Sequence, residues 1–111
     1  MADLTPDETE ELGALLASLH AYGYVDIAER GQLRPGGRIR HSGHRWPEAY
    51  TEGTGVVLAL TEKPDSGWSQ TYGMPDIEMV VLWDKPWPFD TSSRLSQLAQ
   101  YHVGVVTGAD R

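Results

Sequence analysis

The first hydrophobic pattern in the chain has the spacing of an amphipathic helix. Thr5 suits the N-cap, Pro6 the first helical position and Glu8 the third, and Gly23 is a natural stop. The leucines repeat at i, i+3, i+4 and i+7, a stripe that Tyr22 can extend: Leu12, Leu15, Leu16 and Leu19. The pattern predicts a helix over residues 6–22 with its leucine face buried in the fold. A helix that binds a partner is the alternative.

Two later segments, residues 54–61 and 77–84, have the pattern of β-strands with apolar residues on both faces. Both are short, are rich in β-branched or aromatic residues and are bounded by turn residues. A strand with two apolar faces needs cover on both sides. We therefore expect the leucine helix to cover one face and an inner core, including Trp83, to form on the other.

Weaker patterns predict the remaining elements. Residues 24–32 fit either a short strand or a single helical turn, and 33–37 form a Pro-Gly turn. The other predictions are an edge strand at 38–41, loops at 42–53, 62–75 and 85–90, a short helical turn at 93–100, a closing strand at 101–106 and a tail at 107–111.

Four stretches together resemble a known group of small barrels. They are Pro35-Gly36-Gly37-Arg38-Ile39-Arg40, Gly53-Thr54-Gly55-Val56-Val57, Val80-Val81-Leu82-Trp83-Asp84 and Leu95 to Val103. The pattern resembles that of KOW-type barrels and of the Mind-bomb/HERC-type domain, in which a G-x-R-V-like, a G-x-V and a V-x-W-D strand recur. The resemblance implies an SH3-like barrel over residues 33–106 but no particular activity.

The predicted fold class is therefore mainly β with an N-terminal α-helix: an SH3-like small β-barrel packed against an amphipathic helix. With 111 residues the chain is expected to form a single domain, residues 1–111.

Composition narrows the chemistry and the location. The chain has no cysteine, which excludes disulfides, thiolate zinc sites and cysteine nucleophiles and fits a reducing cytosol. The N-terminus is acidic without an apolar run, and no segment approaches the roughly 18 apolar residues of a membrane span. We expect a cytoplasmic protein without membrane contact. Arginine outnumbers lysine seven to two, and glycine and alanine are common, a bias typical of GC-rich genomes such as those of actinobacteria and their phages.

The charge is unevenly distributed along the chain. The net charge is −7, yet residues 30–45 hold five arginines and no acid, whereas residues 1–29 hold seven acids and no lysine or arginine. One interpretation is that these arginines pair with the acidic N-terminal segment. The other is an anion-binding strip, in which Arg38, Arg40 and Arg45 lie near aromatic rings as in single-stranded nucleic-acid binders.

Aromatic residues are concentrated in the predicted loops. They are Trp46 and Tyr50 in the first loop, Trp68 and Tyr72 in the second, and Trp87 and Phe89 after residues 77–84. In SH3-like barrels the corresponding loops converge on one rim, so the rings are expected to form a recognition surface with a large contact area. The alternative is that each ring pins its loop onto the barrel.

Metal binding and catalysis have weak signals. His41 and His44 are followed by Glu48 and Glu52, but the spacing lacks the helical context of a zinc motif. No nucleophile elbow, phosphate-binding glycine loop or paired-carboxylate spacing is present in the sequence. We therefore predict no metal ligand, no cofactor and no catalytic residue.

The sequence predicts a non-enzymatic interaction module. Its expected partner is a protein or peptide, bound through Trp46, Tyr50, Trp68, Tyr72 and Trp87. The alternative partner is a nucleic acid, bound through Arg38, Arg40 and Arg45. The oligomeric state has no signal in the sequence.

Overall fold

The computed structural model describes residues 4–41, 54–84, 94–99 and 103–105. The chain is mainly β with an N-terminal helix, which confirms the predicted fold class at that level. The elements are α1 (Pro6–Ala21), β1 (Val25–Asp26), β2 (Arg38–His41), β3 (Thr54–Glu62), α2 (Gly67–Tyr72), β4 (Ile77–Trp83), β5 (Leu95–Ala99) and β6 (Val103–Val105).

The strands form one antiparallel sheet in the order β5-β4-β3-β2-β6, and β1 pairs with the far end of β3. The sheet is not closed, because β5 and β6 lie at its two edges and do not pair with each other within the described ranges. β2 was expected to be an edge strand, but it pairs with β3 on one side and β6 on the other. Its alternating polar residues therefore do not mark an edge.

Helix α1 begins as the sequence predicts and ends one residue earlier. The Thr5 hydroxyl accepts a hydrogen bond from the Glu8 amide at 3.1 Å, and Glu8 Oε1 accepts one from the Thr5 amide at 3.0 Å, so both halves of the capping box are present. Tyr22 is the C-cap, and Gly23 follows with φ 95°, a conformation that disfavours side chains. Tyr22 is therefore the residue that ends the helix rather than the last member of its stripe.

The leucine face of α1 covers one face of the sheet, as expected. Leu19 is buried against Val80, Leu82 and Leu95, and further apolar residues pack around this cluster: Leu4, Leu12, Leu15, Tyr24, Leu58 and Ala59. Leu16 is only half-buried. The helix thus removes from water the even-numbered apolar residues of β4, which otherwise would face solvent.

The opposite face of the sheet carries the inner core, in which Trp83 is buried as predicted. Its members come from the turn before β2 and from the three central strands: Leu33, Ile39, Val57, Leu60, Ile77, Met79, Val81 and Trp83. Gly55 pairs with Trp83 across the two strands, and a Cβ at Gly55 would lie 2.5 Å from the Leu82 carbonyl oxygen. The close approach of β3 to Trp83 therefore requires glycine.

A β-bulge explains why the inner-core residues of β3 do not alternate along the strand. Val57 pairs with Val81 and Ala59 with Val80, so β3 has one more residue than β4 at this point, Leu58. Because of the extra residue, Val57 and Leu60 both reach the inner core although they are three positions apart. Regular alternation would have put them on opposite faces.

Two segments differ in secondary structure from the sequence-based expectation. The predicted loop 62–75 contains helix α2, capped by Ser66, whose hydroxyl accepts from the Ser69 amide at 3.2 Å. Residues 93–100 were expected to be helical, but Leu95–Ala99 form strand β5. Leu95 and Leu98 are three positions apart, which would place them on one face of a helix. In the strand they lie on opposite faces, Leu95 in the cluster under α1 and Leu98 against the inner core. Pairing with β4 overrides the local pattern.

The short segments between α1 and β2 resolve the ambiguity at residues 24–32. Val25 and Asp26 pair with Glu62 and Thr61 as strand β1. A turn then places Leu33 in the inner core, with hydrogen bonds in both directions between the backbones of Arg30 and Leu33. This part of the chain is therefore tied to the far end of β3, beside α2.

Candidate binding surface

Helix α2 presents a pair of aromatic rings to solvent. Trp68 and Tyr72 are four residues apart, which places them on one side of a helix, and their ring centroids are 5.2 Å apart at an interplanar angle of 46°. Their exposed fractions are 39% and 61%. The contact between the rings holds both in a defined arrangement while leaving much of their surface accessible.

The ends of α2 are held by specific backbone and side-chain contacts. Ser66 is buried at the N-cap, and the Thr71 hydroxyl donates to the Gly67 carbonyl at 2.8 Å. Gly73, with φ 67°, terminates the helix, and its amide donates to the Ser69 carbonyl at 2.8 Å. The aromatic pair thus lies on a short structured connection between β3 and β4 rather than on an irregular loop.

All five large hydrophobic side chains that are exposed within the described part of the chain belong to the same end of the sheet. Besides Trp68 and Tyr72 they are Met74 (41% exposed), Tyr22 (70%) and Val25 (49%). Val25 pairs with Glu62 at the end of β3, and α2 begins five residues after Glu62. We call these five residues the aromatic end.

Contacts between the two segments hold the aromatic end together. The Tyr24 hydroxyl donates to Asp76 Oδ1 at 2.9 Å, and a Cβ at Gly23 would lie 3.5 Å from Lys63 Cε. Burial raises the pKa of Tyr24, and the hydrogen bond to Asp76 raises it further, so the phenol stays protonated and donates. Residues 22–25 are therefore fixed beside the segment that carries α2.

The aromatic end is surrounded by carboxylates. Residues 20–30 and 62–78 contain six acids and only two cationic residues, Arg30 and Lys63. The acids are Asp26, Glu29, Glu62, Asp65, Asp76 and Glu78. Arg30 pairs with Glu62, and His20 Nε2 lies 2.9 Å from Asp26 Oδ1. Burial raises the pKa of Glu78, and a hydrogen bond from Gln97 opposes that shift.

The opposite end of the sheet carries a cleft of about 740 Å³. Its apolar walls include Leu4 and Leu12 of the helical segment and Leu58 and Leu82 of the sheet. Arg38 and Asp84 form a two-point ion pair at its margin, with one contact of 2.9 Å between Nη1 and Oδ1. The Arg38 hydrogen bond lowers the pKa of Asp84, and the Thr54 hydroxyl, which donates to Asp84 at 2.7 Å, lowers it further.

A second ion pair at the cleft joins the helix to the sheet. Arg94 Nε and Nη2 each donate to a Glu8 carboxylate oxygen at 2.8 Å. These bonds and the capping bond from Thr5 lower the pKa of Glu8 to about 2. Sequence reasoning did not single out Arg94, because its partner lies 86 positions away. The capping box was the only local signal that Glu8 has a structural role.

Two of the arginines in residues 30–45 form ion pairs with acids that the simpler interpretation of the charge pattern did not expect. Arg30 pairs with Glu62 and Arg38 with Asp84, both outside the acidic N-terminal segment. Glu8 of α1 is bound by Arg94, which lies outside residues 30–45. In each of these three ion pairs the two partners are more than 30 positions apart in the sequence.

The structure brings together some of the predicted site residues and separates others. Trp68 and Tyr72 are in contact, whereas Arg38 and Arg40 pair with Val56 and Thr54 at the other end of β3. At about 3.3 Å per residue, the two ends of β3 are roughly 25 Å apart. The other predicted binding residues, Trp46, Tyr50, Trp87 and Arg45, lie outside the described residues, as do Phe89, His44, Glu48 and Glu52.

The sequence did not identify Met74 and Val25 as members of the surface and treated Tyr22 as a residue of the buried stripe. Their exposure depends on how β1 and α2 are placed around the end of β3, which no local pattern shows. The one available signal was the position of Tyr22 directly before the glycine stop.

No protein-family model matches the chain, and neither the curated proteins nor the solved structures give a significant match. No helix in the described ranges is long and apolar enough to span a membrane. Across those same ranges, no group of three or more histidines and acids is placed to hold a metal ion.

Proposed function

We propose that this protein is a non-enzymatic interaction module that binds a protein or peptide through its aromatic end. The observation that carries the proposal is the position of the exposed hydrophobic side chains. All five that the described residues contain lie at one end of the sheet, and two of them are aromatic rings in mutual contact. Clustered exposed aromatic residues are typical of protein interfaces, because a ring contributes a large contact area at a low cost in side-chain entropy.

The strand pairing supports the finer proposal that the scaffold is an SH3-like barrel. Strands β2 to β6 would need five pairings to close a five-stranded barrel, and four of them are present. In particular, the last strand returns beside the first of the series, β2. In the part of the chain that the structure describes, the pairing of β5 with β6 is the one missing from the cycle.

The alternative, nucleic-acid binding through residues 30–45, has less support. Arg30 and Arg38 are each engaged by a carboxylate, so a phosphate would have to compete with Glu62 and Asp84. The net charge of −7 opposes such binding further.

A random peptide library displayed on phage and selected on the immobilised protein tests the proposed function. Individual peptides are then measured by fluorescence anisotropy against the wild type, Trp68→Ala and Tyr72→Ala. We expect at least a tenfold loss of affinity in both variants, the magnitude typical of a central aromatic anchor. Glu10→Ala, an exposed position in the first half of α1, is the control and should bind normally.

Folding of each variant is checked by circular dichroism and urea unfolding, so that lost binding is not confused with lost structure. The proposal is wrong if the selected peptides bind the folded Trp68→Ala and Tyr72→Ala proteins as tightly as the wild type.

A further inference from the structure

We infer that the aromatic end takes a cationic peptide, with arginine side chains stacked on the Trp68–Tyr72 pair and the surrounding carboxylates facing the guanidinium groups. This inference rests on the proposed function and specifies the chemistry of its partner. Its basis is the charge that surrounds the rings.

The chain has two acid-rich parts: residues 1–19, with five acids, and the segments around the aromatic end. The six acids and two cations of residues 20–30 and 62–78 leave an excess of four negative charges there, out of −7 for the chain. At the cleft, by contrast, Arg38 is matched with Asp84 and Arg94 with Glu8. A cationic segment near the rings is therefore attracted to the aromatic end.

Within the described residues an arginine pairs with one of these carboxylates, Glu62, and His20 Nε2 lies 2.9 Å from another, Asp26. Asp76 accepts from the hydroxyl of Tyr24 and Glu78 from the amide of Gln97, and both donors are neutral. Of the six acids, Glu62 is the one whose ion pair with an arginine is part of the fold, and Asp65 is exposed directly before α2. Cations of the described ranges thus compensate the local negative charge only in part.

Aromatic rings and carboxylates together favour arginine over other residues. A guanidinium group stacks on the face of tryptophan or tyrosine and still donates hydrogen bonds from its edge to a carboxylate. Lysine provides the same charge without the planar group. The surface is therefore expected to rank arginine above lysine, and lysine above glutamine.

The experiment uses four fluorescein-labelled peptides of equal length, in which glycine alternates with arginine, lysine, glutamine or glutamate. Anisotropy titrations of the full-length protein are run at 50, 150 and 500 mM salt. We expect the arginine peptide to bind most tightly and the glutamate peptide not to bind. Trp68→Ala should weaken the arginine peptide about tenfold, and Asp65→Asn or Asp26→Asn about threefold each with a smaller salt dependence.

Glu10→Gln is the matched control, because it removes the same charge from α1 in an exposed position outside the aromatic end. It should leave the affinity within twofold of the wild type. If Glu10→Gln weakens the arginine peptide as much as Asp65→Asn does, or if Trp68→Ala has no effect, attraction by the overall charge explains the binding and the inference is overturned.

The outcomes separate this inference from the proposed function. Library peptides that depend on Trp68 but carry no positive charge would overturn the cationic partner and leave the interaction module intact. Failure of both sets to depend on Trp68 would overturn both. A single-stranded oligonucleotide is titrated in parallel, and binding of it that is lost in Arg38→Glu would favour the nucleic-acid alternative instead.

Discussion

Glu8 and Arg94 form a two-point ion pair between the first turn of α1 and the residue that precedes β5. The same carboxylate also accepts the Thr5 amide, so one side chain caps the helix and attaches it to the sheet. The Arg94 carbonyl in turn accepts the Trp83 amide at 2.8 Å, which extends the connection to the end of β4. The start of the helix is therefore fixed by a polar contact, while its later turns are fixed by the leucine face.

The Glu8 carboxylate predicts a pH-dependent contribution to stability. Its pKa falls from the ordinary 4.5 to about 2 on folding, so the contribution is complete above pH 4.5 and is lost as the pH falls towards 2. Glu8→Gln should lower the free energy of unfolding by about 1 kcal/mol at pH 7. The difference from the wild type should shrink at pH 2.5, as measured by urea unfolding at both pH values.

Glu10→Gln is the control for this experiment, because Glu10 is exposed on the same helix. It should follow the wild type at both pH values. A Glu8→Gln deficit that is as large at pH 2.5 as at pH 7 would show that the ionised carboxylate is not the source of the effect.

We expect the stability of the protein to be sensitive to a single added methyl group at Gly55. A Cβ there would lie 2.5 Å from the Leu82 oxygen and 3.0 Å from Trp83 Cα, both backbone atoms that can move only with β4. Gly55→Ala should therefore destabilise the protein by about 2 kcal/mol or more. Thermal and urea unfolding measure the change.

Gly13→Ala is the control, because we expect it to stabilise the protein where Gly55→Ala destabilises it. Gly13 lies inside α1 with no atom within 4 Å of an added Cβ, so alanine should stabilise the protein by about 0.5–1 kcal/mol. Equal effects of the two substitutions would contradict the close approach of β3 to Trp83.

Substitution of Leu19 measures how much of the stability comes from the packing of α1 on the sheet. It is 2% exposed and packs against Val80, Leu82 and Leu95. Leu19→Ala should cost about 3 kcal/mol, from lost burial and from the cavity left behind. Leu16→Ala, at a half-buried position of the same helix, should cost less than half as much in urea unfolding. Comparable losses would mean that the stripe, rather than one buried leucine, holds the helix.

The sequence was most informative where local chemistry determines the structure. The capping residues Thr5, Pro6 and Glu8 defined the start of α1, and the apolar runs identified β3 and β4 as strands covered on both sides. It was least informative where pairing in space determines the outcome. Leu95 and Leu98 have the spacing of a helix face, but β4 selects the extended form, which sends the two leucines into different clusters.

The candidate surface was predictable in part for the same reason. The solvent exposure expected for Trp68 and Tyr72 is observed, although they lie on a six-residue helix whose signals, Ser66 and Gly73, are easily taken for loop residues. The pairing of Arg38 with Asp84 spans 46 positions and has no local signal. The charged residues that surround the Trp68–Tyr72 pair could therefore be identified only from the folded structure.

The bulge beside Leu58 has a consequence for the evolutionary history of this strand. The residues after it, from Ala59 to Glu62, keep their present faces and partners whether or not the extra residue is there, because the bulge absorbs it. A relative that is one residue shorter at this point would retain the same inner core and the same aromatic end. Within β3, we therefore expect homologous sequences to tolerate the deletion of one residue at Leu58.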